Sequence, residues 1–230
     1  MMPHMRLPTP EGPAGREPRG GLAATLWTPP GEPRGTVLVL PGAGSAKESH
    51  HDWARACRGA GWTALCVDLP GHGETGGALG AGVLSPLRAA LAGLPAPWVL
   101  RGSSMGGYLA LVLAEGLGAA GVVAICPASA GGLARGLRGD GLGFAVDREA
   151  FGAFLAEHDE LRAAGDLGIP VLLLHAEGDE RVPVAHSRAL ASRLRSPASR
   201  LIAVPGGHHR SVQHDAELQG EALRWLGRAL

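Results

Sequence analysis

The sequence predicts an α/β fold in which a doubly wound, mostly parallel β-sheet carries helices on both faces. Six short apolar runs recur along the chain, and their apolar residues are continuous instead of alternating with polar ones. Such runs are typical of strands that are buried on both faces of a parallel sheet. Helix-like segments separate them, and this alternation of strand and helix indicates parallel pairing. The predicted strands are 36–41, 63–68, 98–103, 122–127, 171–175 and 201–205.

A further strand over 22–28 is expected at the sheet edge. Ser49 is a candidate cap for a helix that ends at Gly61, and Ser85 followed by Pro86 predicts a second helix start. Other helices are expected over 105–115, 185–194 and about 212–230.

The region 128–164 departs from this rhythm. Residues 128–143 are rich in glycine, alanine and arginine, and a helix is expected over 147–164. The stretch is longer than a minimal crossover between two strands. Two interpretations stay open, a small lid over a site or a loop followed by an ordinary crossover helix.

Composition limits the classes of function. The 230 residues suit a single domain, and 45% are hydrophobic, enough for a substantial core. Basic and acidic residues balance at 21 each, so we expect no nucleic-acid partner and no anionic membrane surface.

The N-terminal residues 1–20 are polar and proline-rich, and they contain no apolar core of signal-peptide length. We expect this segment to be loose. No later segment has the length for membrane insertion, so a cytoplasmic protein is expected. Three cysteines suit buried thiols in a reducing compartment better than a disulfide framework.

A nucleophile motif follows the predicted strand 98–103. Residues 102–106 read G-x-S-x-G with Ser104 at the centre, and a predicted helix begins directly afterwards. Small residues on either side let such a turn close and leave the serine hydroxyl exposed. The next backbone N–H, that of Met105, would point to the place where an oxyanion forms.

This strand–turn–helix arrangement resembles the nucleophile turn of the α/β-hydrolases, and other motifs from Thr36 to the C-terminus agree with it. The small-residue loop after strand 36–41 implies a second oxyanion N–H from Ala43, although Pro41 stands where these proteins usually have histidine. The segment 68–75 resembles their D-x-x-G-H-G-x-S turn, with Thr75 in place of serine, and is interpreted as structural.

The resemblance also implies an acid and a base. Asp179 matches the aspartate of the G-x-x-D-x-x-V-P pattern after strand 171–175, with Glu177 as a nearby alternative carboxylate. Two adjacent histidines follow strand 201–205. His209 matches the base of the G-x-D-H-R form, whereas His208 would match a G-G-H form. The order Ser104, Asp179, His209 is the chain order of this fold.

Together these motifs are similar to those of a small bacterial-type esterase or thioesterase, close to dienelactone hydrolases in size but with serine instead of cysteine. The expected activity is hydrolysis of a small-molecule carboxylic ester or thioester through an acyl-enzyme, without a cofactor. Two alternatives remain: a catalytically silent binding protein on the same fold, or a peptidase or amidase.

Ten histidines make a metal site a possible alternative. The clusters are His50 with His51, and His208 and His209 with His214. No H-E-x-x-H or C-x-x-C spacing occurs, so we expect no bound metal.

Overall fold

A computed structural model describes residues 12–139 and 142–230. In them, seven strands form one sheet in the order β1-β3-β2-β4-β5-β6-β7. The first strand pairs antiparallel with β3, and all other neighbours are parallel. The predicted sheet is confirmed, including its edge strand. The strands are β1 (Ala24–Trp27), β2 (Thr36–Leu40), β3 (Thr63–Val67), β4 (Trp98–Ser103), β5 (Gly121–Ile125), β6 (Val171–Ala176) and β7 (Arg200–Val204).

The continuous apolar runs arise because helices cover both faces of the sheet. In β2, Val37 and Val39 pack into one core cluster, whereas Leu38 and Leu40 pack into the other. Successive side chains of a strand point to opposite faces, so both faces need apolar residues here. Only β7, at the far edge, is largely half-exposed.

In the described part of the chain, helices pack on both faces of the sheet. Short 3-10 turns at Lys47–His50 and Ala81–Val83 precede the first two. No helix among the described residues is long and apolar enough to cross a bilayer. The helices are α1 (His51–Gly59), α2 (Leu84–Leu91), α3 (Met105–Leu117), α4 (Ala130–Leu137), α5 (Arg148–Glu157), α6 (Glu160–Asp166), α7 (Val184–Ala191), α8 (Ser211–His214) and α9 (Ala216–Ala229).

Several helix ends differ from the predicted ones. Ser49 lies inside the 3-10 turn, and Ser85 lies inside α2, so neither serine caps a helix. The expected C-terminal helix is split at Asp215, whose carboxylate accepts hydrogen bonds from the backbone N–H groups of Glu217 and Leu218. This cap begins α9, because a side-chain acceptor satisfies N–H groups that have no partner within the helix.

The region 128–164 contains three helices, α4, α5 and the start of α6; residues 140–141 lie outside the described residues. Ser129 caps α4, which replaces the expected glycine-rich loop. The expected helix 147–164 is two helices, because the chain leaves helical geometry at His158 and Asp159 caps α6.

Aromatic packing holds this region against α3. The Tyr108 hydroxyl donates to the His158 carbonyl oxygen at 2.7 Å, and Tyr108 meets Phe154 edge-on at 6.4 Å. Phe151 and Phe154 are buried in the same core cluster as α3. The helices α4, α5 and α6 therefore form a packed layer beside α3.

Part of the expected loose N-terminal segment, residues 1–11, lies outside the described residues. From Gly12 on, the chain lies along β1. Ala14 donates its N–H to the Leu26 carbonyl at 2.7 Å, and the Arg19 guanidinium donates to the Ala90 carbonyl at 2.8 Å.

Candidate active site

The residues singled out in the sequence lie at one edge of the sheet. Ser104 follows β4, Ala43 follows β2, Asp179 follows β6 and His209 follows β7. These four strands are parallel, so their carboxyl ends meet at the same edge. Open α/β sheets bind their ligands at this edge.

Ser104 has a strained backbone. Its φ is 54° and its ψ is −118°, outside the regions that residues with a side chain normally adopt. The turn is held by a hydrogen bond from Ser104 N to the Ile125 carbonyl at 2.9 Å. A Cβ atom at Gly102 would overlap the carbonyl of Gly106, which explains why glycine is needed at position 102.

The same tight packing brings the loop after β2 close to Ser104. A Cβ atom at Gly106 would overlap the carbonyl oxygens of Leu40 and Pro41, and one at Gly42 would lie 3.4 Å from the Ser104 Cβ. The start of α3 and the end of β2 therefore touch through their backbones.

Two backbone N–H groups are placed near the serine without protein acceptors in the described residues. Met105 begins α3, where the first N–H groups have no intrahelical partner. Ala43 lines the same cavity as Ser104, in a loop of small residues. Neither N–H group has a protein acceptor in the described residues.

A buried ion cluster anchors the loop that carries Ala43. The Asp68 carboxylate accepts from Lys47 N at 2.7 Å, from Lys47 Nζ at 2.8 Å and from Glu74 N at 2.9 Å. Lys47 also contacts the carboxylates of Glu74 and Glu48. Although burial opposes it, these bonds raise the pKa of Lys47 and keep the ammonium charged. No motif in the sequence predicts this role of the one lysine.

The turn over 68–75 is structural, as interpreted from the sequence. The Thr75 hydroxyl donates to the Asp68 carbonyl at 2.9 Å, and the His72 ring stacks on Phe144 at 4.1 Å. A Cβ atom at Gly71 would overlap the Ala145 carbonyl, so the turn packs tightly against residues 142–146. His72 does not line the cavity that contains Ser104.

Asp179 and His209 are in direct contact. His209 Nδ1 lies 2.7 Å from Asp179 Oδ2, and the carboxylate also accepts the backbone N–H groups of Arg181 and Val182 at 2.8 and 2.9 Å. Burial alone would raise the pKa of Asp179, but the bonds from Val182, His209 and Arg181 lower it overall. An ionised carboxylate here holds a proton on His209 Nδ1 and leaves Nε2 free to accept one.

The alternative acid, Glu177, and the alternative base, His208, do not take part in this contact. The Glu177 carboxylate pairs with Arg188 at 2.7 Å on the surface. His208 is exposed, and its Nδ1 lies 3.3 Å from the Arg210 backbone N–H. The structure therefore brings His209, and not His208, to the Asp179 carboxylate.

Two further buried residues lie behind Asp179. His175 Nε2 is 2.9 Å from the Val182 carbonyl and 3.4 Å from Asp179 Oδ2, while Nδ1 is 2.7 Å from the Ser187 hydroxyl. A carbonyl can only accept, so Nε2 carries the proton. Cys126 has a φ of 43°, and its thiol lies against Asp179.

From the sequence, Cys126 is expected only to be one of three buried thiols, and His175 has no expected role. The only available signal was weak, a histidine four residues before the candidate acid. Cys126 and His175 both lie next to Asp179 because the parallel strands β5 and β6 end side by side.

Cys126, His175 and Asp179 are also the group of possible metal ligands among the described residues, with ligand atoms within 4.8 Å of one another. They fit a metal poorly. Burial raises the pKa of the Cys126 thiol to about 12, so it keeps its proton. Both His175 nitrogens already have partners, and a ligand nitrogen must be free of its proton.

The histidine clusters of the sequence are not brought together as ligands. His50 Nδ1 accepts from Arg101 at 2.8 Å, His51 bonds to the Thr25 hydroxyl, and His214 bonds to Asp52.

Ser104 and His209 face one cavity of about 190 Å³. In the described residues no hydrogen bond joins the Ser104 hydroxyl to the imidazole, and such bonds often tighten only when substrate is bound. A larger cavity of about 320 Å³, between α3 and α6, is lined by none of Ser104, Asp179 and His209. The smaller cavity is lined by residues 42–45, Ser103, Ser104, Arg181, His209, Arg210 and Gln213.

Comparisons with known proteins agree with this architecture. A family model described as TAP-like protein matches residues 155–225, the part that carries Asp179 and His209. A monoacylglycerol lipase of Mycolicibacterium smegmatis is 27% identical, with 80% of this chain and 84% of the relative covered.

Among solved structures, Est1E from Butyrivibrio proteoclasticus with bound ferulic acid gives a TM-score of 0.73 at 20% identity, covering 90% of this chain and 95% of that one. A monoacylglycerol lipase of Paleococcus ferrophilus gives 0.69 at 22% identity, covering 90% and 97%. With the parallel sheet and its two helical layers, these likenesses show that the chain has the α/β-hydrolase fold.

Proposed function

We propose that the protein is a serine hydrolase that cleaves a carboxylic ester or thioester through an acyl-enzyme on Ser104. One observation carries the proposal: the buried Asp179 carboxylate holds His209 in a cavity that also contains a serine on a strained turn. Nucleophile, base and orienting carboxylate are the three parts that serine catalysis needs.

In the proposed mechanism, His209 Nε2 takes the proton from the Ser104 hydroxyl as its oxygen attacks the substrate carbonyl carbon. The carbonyl oxygen becomes an oxyanion that accepts from the N–H groups of Met105 and Ala43. The C–O or C–S bond then breaks, and His209 returns the proton to the leaving alcohol or thiol. Water, deprotonated by His209, releases the acid and restores Ser104.

Two observations support ester hydrolysis as the reaction class. The curated relative is a monoacylglycerol lipase, and ferulic acid is bound in one structural neighbour. The paired N–H groups beside Ser104 suit the oxyanion of any acyl transfer, and thioesters stay within the proposal for this reason. A silent binding protein is the alternative that the experiment must exclude.

The test is labelling of the pure protein with a fluorophosphonate probe, followed by mapping of the adduct by mass spectrometry. We expect phosphonylation at Ser104, together with hydrolysis of a short p-nitrophenyl ester. Ser104→Ala should lose both while keeping its circular dichroism spectrum. Absence of labelling in the folded wild-type protein would contradict the proposal and favour the silent binding protein.

The two adjacent histidines provide a matched pair of variants. His209→Ala should lower kcat/KM by about 10⁴-fold, because the serine then has no base. His208→Ala should stay within about threefold of wild type, since a surface change away from the chemistry has small effects. The opposite order would show that His208 is the base.

A further inference from the structure

Two arginines, Arg181 and Arg210, line the cavity that contains Ser104 and His209, whereas none of the described residues that line it is a carboxylate. Neither arginine follows from the nucleophile motif or from the proposed acyl transfer to water, which needs no cationic side chain other than the protonated base. Their position beside Ser104 makes both arginines candidates for binding an anionic group of the substrate.

Neither guanidinium is neutralised strongly by the protein. In the described part of the chain, no carboxylate lies within 4.0 Å of the Arg210 side chain. Arg181 Nε lies 3.8 Å from a Glu180 oxygen, and both side chains are more than half exposed. Exposed ion pairs of this kind contribute little free energy, so the Arg181 guanidinium is only weakly neutralised by Glu180.

The nearby carboxylates have other partners. The Asp179 side chain is fully buried and is bound to His209 and to two backbone N–H groups. Glu180 accepts the backbone N–H of His209 at 3.1 Å. Among the described residues that line the cavity, Arg181 and Arg210 therefore carry a positive charge that no lining carboxylate balances.

Guanidinium groups bind carboxylate and phosphate oxygens in a planar, two-pronged geometry, and such charge-assisted bonds are stronger than neutral ones. The cavity, at about 190 Å³, is smaller than the roughly 300–1,000 Å³ of pockets for drug-sized ligands. A small substrate would keep its anionic group within reach of both arginines.

We propose that the natural substrate is a small ester or thioester that carries a carboxylate or phosphate, and that Arg181 and Arg210 bind this group. The inference rests on the proposed hydrolase function and adds to it the chemical class of the substrate. It also separates this chain from a hydrolase of uncharged esters.

The test compares two esters with the same leaving group and acyl chains of four carbons, p-nitrophenyl butyrate and mono-p-nitrophenyl succinate. We expect kcat/KM to be about tenfold or more higher for the anionic ester, an advantage that falls as salt is added. Succinate and inorganic phosphate, each used as an inhibitor of butyrate hydrolysis, distinguish a carboxylate site from a phosphate site by which one inhibits more strongly.

The matched variants are the double substitution Arg181→Gln/Arg210→Gln and the control Arg188→Gln. Arg188 is a surface arginine on α7 that pairs with Glu177. The double variant should lose most of the preference for the succinate ester, whereas Arg188→Gln should keep it. Circular dichroism checks that all variants are folded.

A wild-type protein that is labelled at Ser104 but hydrolyses butyrate as well as succinate would overturn this inference and leave the proposed function intact. The same holds if the double variant keeps the wild-type preference. Absence of both labelling and turnover would overturn the proposed function, and with it this inference.

Discussion

Two buried aspartates, Asp68 and Asp179, stand on either side of the serine, and they are bonded in different ways. Asp68 is bound to Lys47 and to the backbone of Glu74, none of which lines the cavity. Asp179 is bound to two backbone N–H groups and to His209, whose ring faces the cavity. Both carboxylates are fully buried.

The difference lies in what each carboxylate can affect. Asp68 holds a loop in place, so its charge matters for the geometry of Ala43 and for stability. Asp179 holds a side chain that must accept and return a proton, so its charge matters for the proposed chemistry. Residues of the same type and burial should therefore respond differently to the same substitution, from carboxylate to amide.

The largest effect is expected for Asp179→Asn. An amide NH₂ facing His209 Nδ1 favours the tautomer whose proton is on Nε2, so the imidazole can no longer accept the serine proton. We expect kcat/KM for p-nitrophenyl butyrate to fall by about 10⁴-fold while the folded structure is kept. A loss of less than about tenfold would show that Asp179 does not orient the base.

The next effect is expected for Asp68→Asn, and it is an effect on stability. Lys47, which is 3% exposed, would lose the charge of its main partner, and breaking a buried ion pair typically costs about 3–5 kcal/mol. Urea denaturation measures the free energy of unfolding. Glu177→Gln is the matched control, because its pair with Arg188 is exposed and should change stability by less than about 1 kcal/mol.

If Asp68→Asn were as stable as wild type, the distinction between a carboxylate that stabilises a loop and one that orients His209 would fail. The same would follow if its only defect were a loss of turnover comparable to that of Asp179→Asn.

The sequence predicted the sheet because its signals are local. Continuous apolar runs such as 36–41 reflect burial on both faces, and the turn around Ser104 needs glycine at 102 and 106 for steric reasons. Asp179 and His209 were identified by resemblance, because nothing in their own spacing reveals the 2.7 Å contact across 30 residues.

The supporting residues were not predictable in the same way. Lys47 is a surface-type residue whose burial depends on Asp68, 21 residues later. Cys126 has an apolar sequence context, and only the parallel pairing of β5 with β6 brings it to Asp179. The predicted helix ends were wrong where a capping side chain begins a new helix, as at Asp215 and Asp159.

The smallest expected effect is on the pH dependence of stability, and it involves one histidine on each side of the cavity. Burial lowers the pKa of His72, in the turn that follows Asp68, and the pKa of His175, behind Asp179. In the unfolded chain both titrate near the ordinary value of about 6.5. The unfolded state therefore binds more protons just below this pH, and stability falls as the pH decreases.

Each histidine should contribute a decrease of up to about 1.4 kcal/mol per pH unit between about pH 6.5 and its lowered pKa. Urea denaturation at pH 7.5 and 5.5 measures the total decrease, and His72→Gln and His175→Gln should each reduce it. An equal decrease in wild type and both variants would assign the acid sensitivity to other groups, such as the buried His50, whose pKa is also lowered by burial and by Arg101. A larger reduction in His175→Gln than in His72→Gln would show that the side of the cavity that holds His209 is the more sensitive to acid.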